Sequence, residues 1–555
     1  MHSQLFTIIL LLLSSCLATA QSSRHVVFFT DKNNSPYSIS NPSGFLSAAS
    51  INRRAFQNIP VTTQDLPVNP NYVSTVASTG ATILNRSKWF NSVTVEVTST
   101  SILNAILALP FVSGSANVGR YSETATPNRK LDVDRTALIP ASRFSQRTSA
   151  FNYGNSLNQV AMLKGDLMHQ AGFTGQGILI AVLDAGFSNA NNIAPLDSLF
   201  SQGRIVGTWD FVDNESDVYD DDAHGSMVLS AIGANSPGEL IGTAPHASYL
   251  LLRSENAPAE AIIEEYNWAS AAEYADSAGA YIINSSLGYT VFDDPSQNHS
   301  YANLDGNTTP ISIAADIAAS KGMVVCNSAG NEGNGSWFHI SAPADADSIL
   351  AVGAVDAGGL NVGFSGKGPS FDGRVKPDVS GQGFGTIVAD PWNGTGVFGG
   401  SGTSFSSPLI AGMVATLWQC SPNSGSQSII NAVRQSASQF SNPDSLLGYG
   451  IPDFVVACMA LSGLNPEWSS QDELLVIDQN PFQDYLTFSF FSKTPEKTIM
   501  ALYDVTGRTV WQASMDMAPL SNNKSSIPTT GLNKGIYILT ATTQRGRQST
   551  IAIKY

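Results

Sequence analysis

Along the chain, the spacing of apolar positions changes several times, and each change marks a different kind of unit. Residues 5–13 form one short apolar run. Between residues 25 and 109, strand-like runs (25–29, HVVFF; 81–84; 93–97) alternate with helix-like patches at 72–77 and 101–109. This predicts a small α+β unit. From about 116 to 153 the pattern turns polar and carries Arg120, Arg129, Lys130, Arg135, Arg143 and Arg147, an exposed linker of the kind where proteolysis concentrates. Apolar runs then return at 178–183, 281–284, 323–326 and 349–355, with helix-compatible stretches at 260–275 and 311–320 between the first three. Such alternation predicts a parallel sheet with helices on both faces. Past residue 463 the helical spacing stops. Short alternating strands at 485–491, 498–504 and 535–540, broken by turns such as Thr506-Gly507, predict a small β-sandwich. No internal repeat interrupts this order.

The first run has the length of a secretory signal, not of a membrane span, which needs ~20 apolar residues. Ala18-Thr19-Ala20 supplies small residues for a cleavage site before Gln21, although only His2 stands in for a basic start. A lipoprotein reading, with Leu13-Ser14-Ser15 before Cys16, competes with it. The divisions that follow are a signal peptide at 1–20, an α+β unit with its linker at 21–145, an α/β domain at 146–463 and a sandwich at 470–555. A 555-residue chain accommodates three or four domains at ~100–200 residues each. With 43% apolar and only 13% charged residues, and 47 glycines, it suits a loop-rich exported protein.

Charge sharpens the picture. Residues 21–145 hold 11 Lys/Arg against 6 Asp/Glu, residues 146–470 hold 9 against 31, and residues 471–555 hold 8 against 7. A centre that acidic binds nucleic acid or anionic membranes poorly and attracts the basic unit before it. Without the signal segment three cysteines are left, so at most one internal disulfide forms. Cys420 with Cys458 is the plausible pair, since Cys326 lies in an apolar strand; three buried reduced thiols is the other reading.

Three segments carry chemistry. In ILIAVLDAGF (178–187) an apolar strand delivers Asp184 to its carboxyl end, where ligands bind in open α/β sheets. In DAHGSMVL (222–229) His224 opens an apolar helix. In GGSGTSFSSP (399–408) glycines let the backbone turn tightly, and Ser404 falls at a helix start whose free N–H groups favour a developing oxyanion. As a bare string this also reads as an anion-binding loop; it is not a Gly-x-Ser-x-Gly elbow, and no Lys occupies a Walker position. Gly175 and Gly177 precede their strand instead of following it, which removes a nucleotide-binding reading.

In the order Asp, His, Ser, and with SAGN at 328–331, these segments resemble the subtilase family over roughly residues 158–460. The resemblance implies a subtilisin-like fold and a secreted serine endopeptidase acting on proteins or peptides. Its triad would be Asp184, His224 and Ser404, with Asn331 as the oxyanion-hole side chain. It implies an extended substrate along Ser286, Leu287 and Gly288, with Ser328, Ala329 and Gly330 edging the specificity pocket. No cofactor is needed for that chemistry. Where Met227 stands the family usually has a second histidine, outside the triad. Residues 289–310 read as an insertion near the substrate groove. The acidic run 217–222 and the pair Asp293-Asp294 are open either to structural calcium or to the reading of a solvated loop, and the metal set stays unknown.

The same resemblance makes the N-terminal unit a propeptide, a folding template that then occupies the groove. NPF at 480–482, LYDVTGR at 502–508 and GLNKGIY at 531–537 resemble the sorting domain of type IX secretion in Bacteroidetes. That implies export through the periplasm to the surface or medium, engagement of the type IX machinery, and no membrane span in the mature chain. The competing reading of the whole is a catalytically silent surface adhesion protein on the same scaffold.

Overall fold

The computed structural model describes residues 22–119, 144, 151–463 and 471–555. The signal segment with Cys16, and the linker cations Arg120, Arg129, Lys130, Arg135, Arg143 and Arg147, lie outside the described residues.

The N-terminal unit is an antiparallel sheet in the order Thr82–Ser87, Ser92–Val97, Ser23–Phe29, Val112–Asn117. Strand alternation gives it two apolar faces. Val27, Phe29, Val93, Val95 and Val97 pack under the helices Pro70–Ser78 and Thr100–Leu107 through Val73, Val76 and Ile106. Val26 points the other way, joining Val118 against Ala261, Ile263 and Tyr266 of the next domain. The helix Ala48–Phe56 has no counterpart in the apolar pattern, because the residues it buries include Arg53 and Arg54. Both reach Asp276, which Lys88 also approaches: Arg53 Nη2 at 2.6 Å, Arg54 Nη2 at 2.7 Å, Lys88 Nζ at 3.1 Å. Burial works against the charge on Asp276, but Lys88, Arg53 and Arg54 outweigh it and hold the carboxyl below its ordinary range. Beside it, Glu273 accepts from Ser87 Oγ, Lys88 N and Trp89 N. Acidic helix meets basic unit, as the uneven charge suggested.

The central domain holds seven strands in the order Val379–Gln382, Leu350–Val355, Val324–Ser328, Ile282–Ser285, Leu179–Asp184, Ser248–Arg253, Ile205–Asp210, all parallel. His224–Gly233 and Thr403–Cys420 pack on one face, Ile263–Ala278 and Pro310–Ser320 on the other. After Leu179–Asp184 the chain crosses to the edge strand Ile205–Asp210, fills the gap with Ser248–Arg253, and then builds outward on the other side from Ile282–Ser285 to Val379–Gln382. The crevice at such a switch point opens at the carboxyl ends of the strands, which is where Asp184 sits.

The C-terminal unit pairs a three-stranded sheet with a four-stranded one around Phe482, Leu486, Phe488, Phe490, Met500, Leu502 and Leu539. Phe491 and Leu520 leave that core and join the apolar cluster of the central domain. Cys420 and Cys458 form a disulfide across 6.1 Å between Cα atoms, and Cys326 is a buried free thiol. Among the described residues no helix is long and apolar enough to cross a membrane.

Candidate active site

Asp184 ends the central strand, fully buried. Its Oδ1 accepts from the backbone N–H of Ala185 at 2.8 Å and from His224 Nδ1 at 2.7 Å. A carboxylate can only accept, so Nδ1 carries the proton and Nε2 is left as the base. His224 is the first residue of its helix, and its N–H donates to Asp222 Oδ1 at 2.7 Å. Gly225 permits the approach that sets it over Asp184: its N–H donates to Gly186 O at 3.0 Å, and a Cβ there would meet that carbonyl and the Phe187 ring. Burial pulls the imidazole pKa down, but the Asp184 carboxylate, its hydrogen bond and Asp222 overcome this, so His224 titrates above an ordinary histidine. Protonated imidazole cannot act as base. The value of kcat/KM is therefore expected to rise with pH through one ionisation lying above ~6.5. A pH–rate profile on a peptide substrate measures it, and a midpoint below that value contradicts the assigned pairing.

Ser404 is the second residue of the helix Thr403–Cys420 and 7% exposed. Its Oγ donates to Ser286 O at 3.3 Å, while Ser286 Oγ donates to Ser404 O at 2.9 Å. The adjacent Phe405 ring lies 5.9 Å from the His224 ring, centroid to centroid, which brings the helix start to the imidazole. Among the described residues the Ser404 hydroxyl has only the Ser286 carbonyl as partner. Asn331 Oδ1 accepts from Thr403 N at 2.8 Å and Thr403 Oγ1 at 2.9 Å. The same hydroxyl receives the Gly330 N–H at 3.2 Å. Thr403, which the motif contains but whose role its letters do not reveal, therefore fixes the amide so that Nδ2 faces away from it.

Ser286, Leu287 and Gly288 extend one strand, and Ser328, Ala329 and Gly330 run from the end of its parallel neighbour. The side chains of Ser286, Leu287, Ser328 and Ala329 are buried, so backbone forms most of what these segments offer. Residues 289–310 fold beside them, with His299 on Glu265 at 2.5 Å and Gln297 Nε2 donating to Asn117 O at 3.2 Å. A cleft of about 410 Å³ is lined by Asp221, Asp222, Ala223, Asn256, Pro258 and Trp392 among others.

The acidic run 217–222 meets an arginine through Asp221. Arg253 reaches Asp210 at 2.6 Å, Asp213 at 2.5 Å and Asp221 at 3.0 Å. Asp294 caps the turn Pro295–Gln297, and Asp293 receives the Glu260 N–H at 3.3 Å. A different carboxylate group, Glu255, Glu260 and Glu264, offers oxygens within 4.8 Å of one another. Tyr289 donates to Glu255, and the N–H groups of Asn256 and Ala261 donate to Glu264. Met227 is buried in the core, away from any polar role.

Residues 175–450 match the model of the subtilase family. Residues 24–132 match the peptidase S8 propeptide domain of Bacteroidota, and residues 480–554 match a secretion system C-terminal sorting domain. Among curated proteins, a thermophilic serine proteinase of Bacillus sp. (strain AK1) is 31% identical over 50% of this chain and 60% of its own. Subtilisin E of Bacillus subtilis (strain 168) is 29% identical over 51% and 66%, and serine protease AprX of the same strain is 30% identical over 45% and 59%. The chain thus spans less than two thirds of the length of these relatives. The solved MycP3 protease from the type VII (ESX-3) secretion system is 20% identical, with a TM-score of 0.45, over 57% of this chain and 94% of that one. A seven-stranded parallel sheet and three family matches in register with the three folded units lead to one assignment: residues 175–450 form a subtilase-family domain, with a peptidase S8 propeptide domain before it and a secretion sorting domain after it.

Proposed function

We propose that the chain is an exported endopeptidase, made as a zymogen, that cleaves proteins through an acyl-enzyme on Ser404. The observation that carries this is the buried Asp184–His224 hydrogen bond, 2.7 Å long, beside the start of the helix bearing Ser404. Ser404 Oγ attacks the scissile carbonyl while His224 Nε2 takes its proton. The imidazolium, paired with Asp184, then gives that proton to the leaving amine. Water enters, His224 deprotonates it, and its attack on the ester frees the acid and restores the serine. In both halves the carbonyl oxygen carries negative charge. The Ser404 N–H and Asn331 Nδ2 are the donors assigned to it. No metal or cofactor takes part in these steps. The substrate backbone lies along residues 286–288, and residues 328–330 edge the pocket that takes its side chain. The sorting domain supports export, with the secretion machinery as partner and release or surface attachment as the end state.

The reading is tested by exposing processed protein to a serine-directed phosphonylating reagent and measuring intact mass. One adduct, mapped to the peptide holding Ser404 and accompanied by loss of casein hydrolysis, is expected. A chain that neither takes up the reagent nor cleaves casein is the adhesion protein instead. Asn331→Ala is expected to lower kcat by about 10²–10³-fold with KM little changed, because its amide acts on charge present only in the transition state. Steady-state kinetics on one peptide measure this, and a rise in KM at constant kcat contradicts the assigned role.

A further inference from the structure

The two outer faces of the C-terminal sandwich are used differently. On the three-stranded sheet Phe491 stands opposite Leu474, and both pack, with Leu520, into the apolar cluster of the peptidase. The outer face of the four-stranded sheet lies on the far side of the sandwich. Strand alternation there turns Tyr537, Leu539, Ala541 and Ala552 into the core and leaves Ile536, Ile538, Ile551 and Ile553 outside. These four are 52%, 40%, 59% and 40% exposed. Ile536 is paired directly with Ile553 and Ile538 with Ile551, so they form one contiguous patch. Tyr503, opposite Ile538, extends it onto the next strand. An aliphatic patch left open on a folded domain marks a binding surface.

What surrounds the isoleucines narrows the occupant. The edge of the strand Arg547–Lys554 is already taken. Phe482 N–H donates to Ile553 O and Tyr555 N–H to Phe482 O, both at 2.9 Å. Asn480 Nδ2 donates to Ile551 O at 2.9 Å and its Oδ1 accepts the Ile553 N–H at 2.8 Å. A partner strand therefore has nothing to pair with at that edge, and what the domain offers is the face. Cations flank this face. Lys534 Nζ lies over the ring of Tyr555, 5.7 Å from its centroid, and the Arg547 guanidinium lies 5.0 Å from the centroid of Tyr503. Lys497 stands on the same face opposite Asp516, the only acidic strand residue there. An aliphatic centre, tyrosines at its margin and cations around them match the order of polarity of a lipid surface. Phosphate lies outermost, then the zone where amphipathic rings sit, then hydrocarbon. A protein partner is more often held by aromatic anchors at the centre, seated in pockets.

We propose that the isoleucine face of the sorting domain binds an anionic lipid surface. Lys497, Lys534 and Arg547 meet lipid phosphates, and the four isoleucines reach the boundary of the acyl chains. The peptidase, seated on the opposite sheet, is then held away from the membrane. The proposal rests on the export reading above for bringing the tail to a membrane, and it is independent of the chemistry at Ser404.

The test uses the full chain with its tail verified by intact mass, carrying Ser404→Ala to prevent self-digestion. The probes are vesicles of phosphatidylethanolamine with phosphatidylglycerol, and vesicles of phosphatidylcholine alone. Co-sedimentation with the anionic vesicles is expected, weakening as salt is raised, with partition into phosphatidylcholine at least about tenfold lower. Replacing the three cations together (Lys497→Gln, Lys534→Gln, Arg547→Gln) is expected to lower partition by about 10²-fold. Ile536→Thr, Ile538→Thr and Ile551→Thr together keep β-branched residues in the strands and are expected to lower it by at least about tenfold. Thermal unfolding like the parent's shows that each variant is folded. Partition into neither kind of vesicle, or partition that either folded variant leaves unchanged, overturns the proposal. A dimer that the threonine variant dissolves, without vesicle binding, gives the face to a second copy and also overturns it. Export is read separately, from the chain's presence at the cell surface or in the medium, so the two readings fail independently.

Discussion

Ser404→Ala is expected to lower kcat on the order of 10⁶-fold and to leave the N-terminal unit covalently attached. On the proposed mechanism alanine removes the attacking oxygen, and His224 and Asp184 then have nothing to activate. Removing the whole triad would then cost little more, because the three groups work as one device. A residue of activity of about 10³–10⁴ over the uncatalysed reaction is expected to survive, since the oxyanion donors and the substrate segments remain. The fold is expected to hold. Ser404 Oγ makes one hydrogen bond, to Ser286 O at 3.3 Å, and a contact of that kind contributes about 1 kcal/mol. Thermal unfolding within a few degrees of wild type, beside lost hydrolysis and an uncut mass, is the expected set. A variant cut like wild type shows that another protease processes the chain.

The second large effect is expected at Asp276, far from the chemistry. Its carboxylate gathers Arg53, Arg54 and Lys88 from the propeptide, with both it and the two arginines shut off from solvent. Asp276→Ala leaves buried cations without their anion, a loss of about 3–5 kcal/mol for a broken buried pair. That weakens docking by on the order of 10²–10⁴-fold. Arg54 retains Asp65 at 3.0 Å, so the local fold of the propeptide keeps one anchor. Once the propeptide has gone, the loss of Asp276 is expected to matter little to the peptidase, since the cations it pairs with leave with that unit. Size-exclusion of processed protein measures the difference: the cleaved unit is expected to leave the variant at concentrations where it stays on wild type. Co-elution at equal strength contradicts the role given to this cluster.

These two sites differ in how far the sequence reveals them. Asp184, His224, Ser404 and Asn331 each sit in a short string whose local shape is part of the signal: a strand ending in Asp-Ala-Gly, a histidine before glycine at a helix start, a glycine-rich turn into an apolar helix. The parallel sheet, the small α+β unit and the terminal sandwich were legible for a similar reason, because their apolar periods differ. The helix Ala48–Phe56 was not, since what it buries is arginine, and its partner lies more than 200 positions away in the chain. The strand Val379–Gln382 reads VSGQ and has a single apolar residue to announce it. The acidic run 217–222 suggested a cation but not that Arg253 meets Asp221 within it. Thr403 was inside the motif, yet its grip on Asn331 needs both loops to be in place.

Phe491 and Leu520 have a further bearing on the enzyme's fate. They belong to the sorting domain by sequence but are buried in the apolar cluster of the peptidase. The tail is therefore seated against the peptidase domain. Whatever grips the tail during export holds the enzyme through a packed joint as well as through the chain. Cutting the peptide bond between the two units and letting them part are then separate events. The first is a matter of a protease reaching the chain. The second waits on pulling two hydrophobic side chains back into water, and its rate decides how long a severed enzyme stays where its tail is kept.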